Sequence, residues 1–514
     1  MHATLRGTVT PVIDINTVFG LRVNSDPRYE PAALSASLTA HQVALAFTCS
    51  RLGVDYFAPL GNTATIEACR HFPNLSPVAV VNPRDSFIWQ ADVDRCLSEG
   101  IRLFRFFPRT QGWSPTSRAF RDIVSYLASR KAIIIASVSE LGGEWDTARA
   151  LAEATDGLEI PLIFAEAYYS TLPEVLALMK DHRQIYADTS FLATINSVEQ
   201  IADAVGYNRL LYGSAAPWHP MQKSLNQVLE ARIPDAQKQA ILGGTAMQLL
   251  GLPATMFADT PSLASLEPLS FDQPVIDIHS HLGCFAIPVR QEDHNPAGML
   301  ERMRRLGITR SILSSAESLR YDVASGNRKI AGAIEGHPGL YGMVELDPWH
   351  LDLSCAEMDR YLSRPDFAAV EIELSHIACP TGSPQVRALM TEIARRGKPV
   401  LFMPHMGDAD VEAEIELARA NPSLTIVHAH GAEPEWARAV KNTPNICVEY
   451  CFSRTTHHRL REGIDILGPE RVLFGSDQIL LSPAGQIGLY YDANLSPRER
   501  QLIMHDNARR LYRL

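Results

Sequence analysis

Along the chain, short apolar runs rich in β-branched residues alternate with longer segments whose apolar positions recur every three or four residues. That alternation is the pattern of repeated βα units. In the second half the runs fall at 275–278, 311–313, 341–344, 369–372, 400–403, 425–427, 446–448 and 471–474, which predicts eight strands. Helical stretches such as 296–306 and 384–396 lie between them. Eight βα units in about 250 residues predict a closed (β/α)8 TIM-type barrel. An open doubly wound sheet is the second choice; it fits less well because no glycine-rich phosphate loop follows the first strand.

The first half repeats the plan. Val12-Ile13-Asp14-Ile15 reads against Val275-Ile276-Asp277-Ile278, Asn82-Pro83 against Asp347-Pro348, Tyr212-Gly213-Ser214 against Phe474-Gly475-Ser476, and Thr245-Ala246 against Asn507-Ala508, at offsets of 263, 265, 262 and 262. So constant a register indicates duplication. The predicted fold class is therefore α/β with two tandem (β/α)8 barrels, residues 1–252 and 274–514, joined by a Pro/Ser/Ala/Thr-rich linker at 253–273. Length agrees, since 514 residues exceed what one hydrophobic core ordinarily serves. The N-terminal barrel is expected to pack on the C-terminal one.

Charge and composition narrow the function. With 47 Lys plus Arg against 58 Asp plus Glu, the formal charge of −11 argues against nucleic acid as a partner. The longest apolar stretches, such as 132–136 and 400–403, are strand-length and far short of a membrane span. With no secretory signal visible at the N-terminus, a cytoplasmic protein acting on a small molecule is expected. The eight cysteines are scattered without a CxxC pair, which predicts reduced, mostly buried thiols.

Candidate chemistry concentrates in the second copy. His279 and His281 lie two apart at the end of an apolar strand, so a period of two points both imidazoles to one side. His405 ends the fifth strand, His428 and His430 the sixth, and Asp477 the eighth, all at the carboxyl ends of strands, the face where barrel active sites form. Imidazoles plus a carboxylate suit zinc or another divalent first-row ion better than calcium or magnesium.

This ordered set resembles the amidohydrolase superfamily, in the branch that includes aminocarboxymuconate-semialdehyde decarboxylase. The resemblance rests on Asp277-Ile-His279-Ser-His281, His405, Val427-His-Ala-His430-Gly431 and Phe474-Gly-Ser-Asp477, and spans nearly the whole chain in two copies. It implies that His279, His281, His405 and Asp477 hold a divalent metal, most simply one zinc, with His430 beside it positioning substrate and water. Activated water would then attack, Asp477 would move its proton, and His430 would stabilise the oxyanion.

Strand 4 departs from relatives that carry a carboxylated lysine there. Its carboxylates, Glu371 and Glu373, either bridge a second ion or form a polar wall, and one ion is favoured over two. Arg320, His350, His376, His457 and His458 follow strands on the same face and are weaker candidates for substrate contact, while His428 reads as a core histidine one layer below His430, and Cys284 as packing. In the first copy Asn16, Val18, Val138, Glu166 and Ala215 stand in the places of His279, His281, His405, His430 and Asp477, so that copy reads as a pseudoenzyme barrel without metal. The expected activity is hydrolysis of an amide, lactone or related ester-like bond. The alternative is nonoxidative decarboxylation of a small carboxylated substrate, and a noncatalytic binding module comes third.

Overall fold

A computed structural model describes residues 10–21, 26–139, 146–260, 262–285, 294–405, 407–431, 433–453 and 456–514. They divide into two compact units, with the boundary between Pro268 and Leu269. The first unit contains β1 (Val12–Phe19), β2 (Val43–Ser50), β3 (Leu75–Pro77), β4 (Ala79–Val80), β5 (Leu103–Phe106), β6 (Ile133–Ser137), β7 (Leu162–Ala165), β8 (Ile185–Asp188) and β9 (Leu210–Leu211). All pair in parallel as β1-β2-β3 and β4 through β9. β3 and β4 flank Val78, whose N–H donates to the Thr48 carbonyl at 2.8 Å, so the two short strands fill one position of an eight-position barrel. Ile15 N–H to Tyr212 O (3.0 Å) and Ala215 N–H to Asn16 O (2.8 Å) join the last position to the first.

The second unit is one eight-stranded parallel sheet in sequence order: β10 (Val275–Leu282), β11 (Ile308–Ser315), β12 (Leu340–Glu345), β13 (Phe367–Glu373), β14 (Val400–Met403), β15 (Ile426–His428), β16 (Ile446–Glu449) and β17 (Val472–Leu473). Ile278 N–H to Phe474 O (3.1 Å) and Asp477 N–H to His279 O (2.8 Å) close it. Each predicted strand of this half is present, and so are the helices Pro296–Leu306 and Pro384–Arg396. Their ends are written locally: the Asn295 and Ser383 side chains cap the first turns, each followed by proline, and Gly307 and Gly397 stop the helices at φ of 70° and 66°.

Strand alternation builds two layers of core in each unit. In the second, Ile276, Ile278, Ile312, Met343, Leu401, Val427 and Leu473 fill the barrel interior, while Val275, Val344, Val370, Ile372, Phe402 and Ile426 face the helices. Both barrels carry the same latch across the seam. Asp277 accepts the His279 and Ser476 backbone N–H groups and the Ser476 hydroxyl. Asp14 accepts those of Asn16 and Ser214 in the same way.

Within the 253–273 stretch, Phe257 is buried in the first unit's interior core, Leu263 and Leu266 pack on its outer core, and Phe271 is buried in the second unit. No helix among the described residues is long and apolar enough to cross a membrane. All eight cysteines are free, five of them buried; Cys284 is exposed rather than packed.

Candidate metal centre

β10 carries the centre. Its register against β11 slips between Asp277 and Ser280, so the side chains that follow do not continue the alternation set by Ile276 and Ile278. His279 and His281 then share one side, with their Nε2 atoms 3.2 Å apart. Their Nδ1 atoms are each engaged elsewhere, His279 on Glu449 Oε1 at 2.9 Å and His281 on the Ser314 hydroxyl at 2.8 Å. A neutral ring that donates from Nδ1 presents a lone pair at Nε2, and two such lone pairs facing each other repel unless a proton or a metal cation lies between them. Asp477 Oδ1 is 3.2 Å from His281 Nε2, and the ligand atoms of His279, His281 and Asp477 fall within 4.8 Å of one another.

Glu371 completes the wall. It is 1% exposed, its neighbour on the next strand is the carboxyl of Glu345, which hydrogen-bonds it, and Oε1 lies 3.8 Å from His279 Nε2. A buried carboxylate is costly without a compensating charge, so its position beside His279 suits a bound cation. Glu373, two residues on, is already used: it accepts the Ser375 hydroxyl at 2.9 Å and pairs with His376 Nε2. Of the two strand 4 carboxylates, only Glu371 faces the histidine pair.

Charge tells the same story. Burial opposes a charge on His279, yet the hydrogen bond and charge of Glu449, together with Asp477 and Glu371, outweigh it and raise its pKa to about 10. Burial likewise works against ionised Glu449, but its bonds to His279 and His430 bring it down to about 2. Glu345, on the strand beside Glu371, is pushed well above the carboxylate range by burial and then by Glu371 and Glu373. The cluster therefore has an excess of carboxylates that calls for a positive charge at the His279 position.

His430 and Asp477 both sit in left-handed backbone, at φ of 67° and 53°. Glu166 and Ala215, their counterparts in the first unit, have φ of 66° and 58°. For non-glycine residues this region is disfavoured and marks functional sites. It also re-aims His430. Its Nδ1 donates to Cys451 O at 3.0 Å and its ring centroid is 5.1 Å from that of His279, whereas His428 points toward the helices and bonds Glu414 at 3.0 Å. His428 is thus the buried, hydrogen-bonded core histidine expected, but on the helix side of its strand rather than one layer below His430.

Other expected residues scatter. His405 stands outside the clustered groups, its Nε2 donating to Cys379 O at 3.1 Å. Arg320 donates to His376 Nδ1 at 2.8 Å, so Arg320, His376 and Glu373 form a chain at the mouth. His350 is exposed and turned onto Asp347 at 2.6 Å. His457 and His458 lie in the turn before the helix Arg459–Leu467, with His458 at its N-cap. Two residues of the centre went unnoticed in the sequence. Glu449, fully buried, accepts from His279, from the His430 N–H (2.7 Å) and from the Cys451 N–H (2.6 Å). Cys451 donates its thiol to Glu449 Oε1 at 3.2 Å, and burial followed by the nearby carboxylates keeps that thiol protonated. A carboxylate closing the otherwise apolar strand Ile446–Glu449 was the available signal for the first.

The first unit fills the same place differently. Arg105, at the strand position of Glu371, is 1% exposed and bonds Asn16 Oδ1, Glu166 Oε1 (2.9 Å) and the Ser137 hydroxyl (3.4 Å). Asn16 in turn donates to Asp188, the counterpart of Glu449, at 2.6 Å. A guanidinium thus occupies the ground where the second unit gathers its two histidines, Asp477 and Glu371.

A family model described as amidohydrolase matches residues 22–252 and again 276–514. No curated protein matches the sequence. Solved structures similar to part of it include 2,6-dihydroxybenzoate decarboxylase from Rhizobium (15% identity, 47% of this chain, 99% of that chain, TM-score 0.39). Another is 5-carboxyvanillate decarboxylase from Sphingomonas paucimobilis (15% identity, 47% and 99% covered, TM-score 0.37). A third is dihydroxybenzoic acid decarboxylase from a Polaromonas species, with bound manganese (15% identity, 47% and 97% covered, TM-score 0.37). With both halves matched, the chain belongs to the amidohydrolase family, as two tandem copies of its barrel.

Proposed function

We propose that the second unit is a metal-dependent catalyst for nonoxidative decarboxylation of a small carboxylated molecule. The observation that carries this reading is Glu371, a buried carboxylate whose Oε1 lies 3.8 Å from His279 Nε2. With His279, His281 and Asp477, it makes a donor set of two imidazoles and two carboxylates. Two carboxylates offset the charge of a divalent ion, so such a set acidifies water less than three neutral histidines do, and its oxygen content accommodates Mn2+ as readily as Zn2+. Holding a substrate carboxylate is then a better use of the site than making hydroxide.

When bound, the ion supplies a Lewis acid that anchors and polarises the substrate carboxylate. The chain's own groups do the rest. Asp477, held below the ordinary carboxylate range by its histidine neighbours despite burial, stays ionised as a ligand. His430, its Nδ1 committed to Cys451 O, keeps Nε2 for a proton. Delivered to the carbon that bears the carboxylate, that proton forms a C–H bond as the C–C bond breaks and carbon dioxide leaves. Arg320, linked to His376, supplies a cation at the mouth for an anionic substrate. Hydrolysis is the second reading; it uses the same ligands with Asp477 as the base. We assign catalysis to the second unit alone, since Val18 and Ala215 of the first cannot ligate an ion.

The test is elemental analysis beside product analysis. Wild-type protein is expected to carry one divalent ion per chain, lost in His279→Ala and in Glu371→Ala, and to release carbon dioxide from hydroxybenzoates. His405→Ala separates a fourth ligand from a bystander by whether the ion is lost. Lactone or amide cleavage without carbon dioxide would transfer the assignment to hydrolysis, and absence of any ion after reconstitution would overturn both.

A further inference from the structure

The first unit has a cavity of about 540 Å3 at the amino-terminal ends of β8 and β9, opposite the strand ends that carry Glu166 and Ala215. Its wall includes Arg183, Tyr186, Asn208, Arg209, Thr245 and Gln248, with no carboxylate. The second unit shows why it is open. There Asn507, at the position of Thr245, donates its amide to Pro469 O (2.7 Å) and Val472 O (2.9 Å), and Arg510, at the position of Gln248, donates to Glu470 O (3.1 Å). Threonine is too short to make those caps, and its hydroxyl is buried without a hydrogen-bond partner.

The two arginines are the second feature. Arg471 of the second unit spends all three guanidinium nitrogens on backbone carbonyls, Nη1 donating to Lys441 O at 2.8 Å. Arg209, its counterpart, bonds Ile185 O through Nε (2.7 Å) and His182 O through Nη2 (2.8 Å), while Nη1 has no hydrogen-bond partner among the described residues. Burial works against the Arg209 charge, and the nearby Arg183 cation adds to that. Arg183 is exposed and has no ion pair among the described residues. Two cations in one cavity without an anion, beside a tyrosine ring and the apolar Val205 and Leu249, form a site that an anion completes.

We propose that this cavity binds a small organic anion: its carboxylate or phosphate pairs with Arg183 and Arg209 Nη1, and its ring or chain lies against Tyr186. Conservation of structure at this end of a barrel ordinarily serves stability rather than chemistry, so the role is binding, not turnover. The inference is independent of the metal chemistry assigned to the second unit.

Calorimetric titration of the full chain with benzoate, phenyl phosphate and inorganic phosphate, at matched ionic strength, tests it. One organic anion per chain is expected to bind to His279→Ala, which lacks the metal centre, and the wild type shows that same site beside any anion its metal centre holds. Arg183→Glu should weaken binding at least about tenfold, and Thr245→Asn, which restores the capping side chain of the other copy, should abolish it without changing charge. Preference for benzoate or for phenyl phosphate identifies the anionic group. Inorganic phosphate binding as tightly as phenyl phosphate would overturn the organic class. Binding unaffected by both cavity variants, lost in His279→Ala, or absent at millimolar concentrations would overturn the site.

Discussion

Replacing Glu449 with glutamine exchanges one oxygen for an amide at nearly constant volume. The carboxylate is fully buried and is surrounded by donors: Oε1 faces His279 Nδ1 (2.9 Å), the His430 N–H (2.7 Å) and the Cys451 thiol (3.2 Å), and Oε2 faces the Cys451 N–H (2.6 Å). A glutamine has one acceptor oxygen, so its NH2 must confront at least one of these donors, which costs about 1–3 kcal/mol for the unsatisfied pair. The same change removes the charge that orients His279 and makes it a stronger ligand. Partners of this kind are typically worth 10–100-fold in metal affinity, about 1.4–2.7 kcal/mol. Competition for Mn2+ or Zn2+ against a chromophoric chelator at neutral pH measures it directly. A Kd raised 10–100-fold with the fold intact is expected. Equal affinity in the variant and wild type would refute the role of Glu449 as the group that aims His279.

Arg105→Met removes the buried cation that bonds Glu166, Asn16 and Ser137 in the first unit; loss of roughly 3–5 kcal/mol is expected for a broken buried pair, seen as a lowered unfolding midpoint by calorimetry, with bound metal unchanged. A variant as stable as wild type would show that the guanidinium is not what holds that barrel mouth together. Gly475→Ala places a methyl group 2.9 Å from both His279 Cβ and Glu449 Oε2, so metal content and turnover should fall while the Asp277–Ser476 latch persists; unchanged metal content would count against the close packing there. Asp14, carried by burial to about 7 from an ordinary 3.8, holds its proton in the folded chain where the unfolded chain has lost it. The folded state therefore binds more protons between about pH 4 and 7, and stability from this group is greatest below pH 4 and declines as pH rises through 7. Asp14→Asn, which mimics the protonated form, should flatten that decline in urea unfolding series, and an unaltered pH slope would contradict the shift.

The eight strands of the second half, the helices Pro296–Leu306 and Pro384–Arg396, the duplication and the pairing of His279 with His281 were legible in the sequence, because each rests on local periodicity, capping or spacing over a few residues. What the tertiary structure decided lies between residues far apart in the chain. The register slip at Asp277–Ser280 and the left-handed backbone at His430 turn side chains against the simple alternation, and neither leaves a mark in residue type. Glu371 and Glu373 are equivalent by spacing and by strand face; only His376 and Ser375, which occupy Glu373, leave Glu371 to the histidines. Glu449 meets His279 across 170 positions, and Arg105 meets Asn16 across 89. A sequence records which donors and charges exist, but buried charge is settled by which of them are brought within a few ångströms in a medium that screens poorly, and only closing the barrel does that.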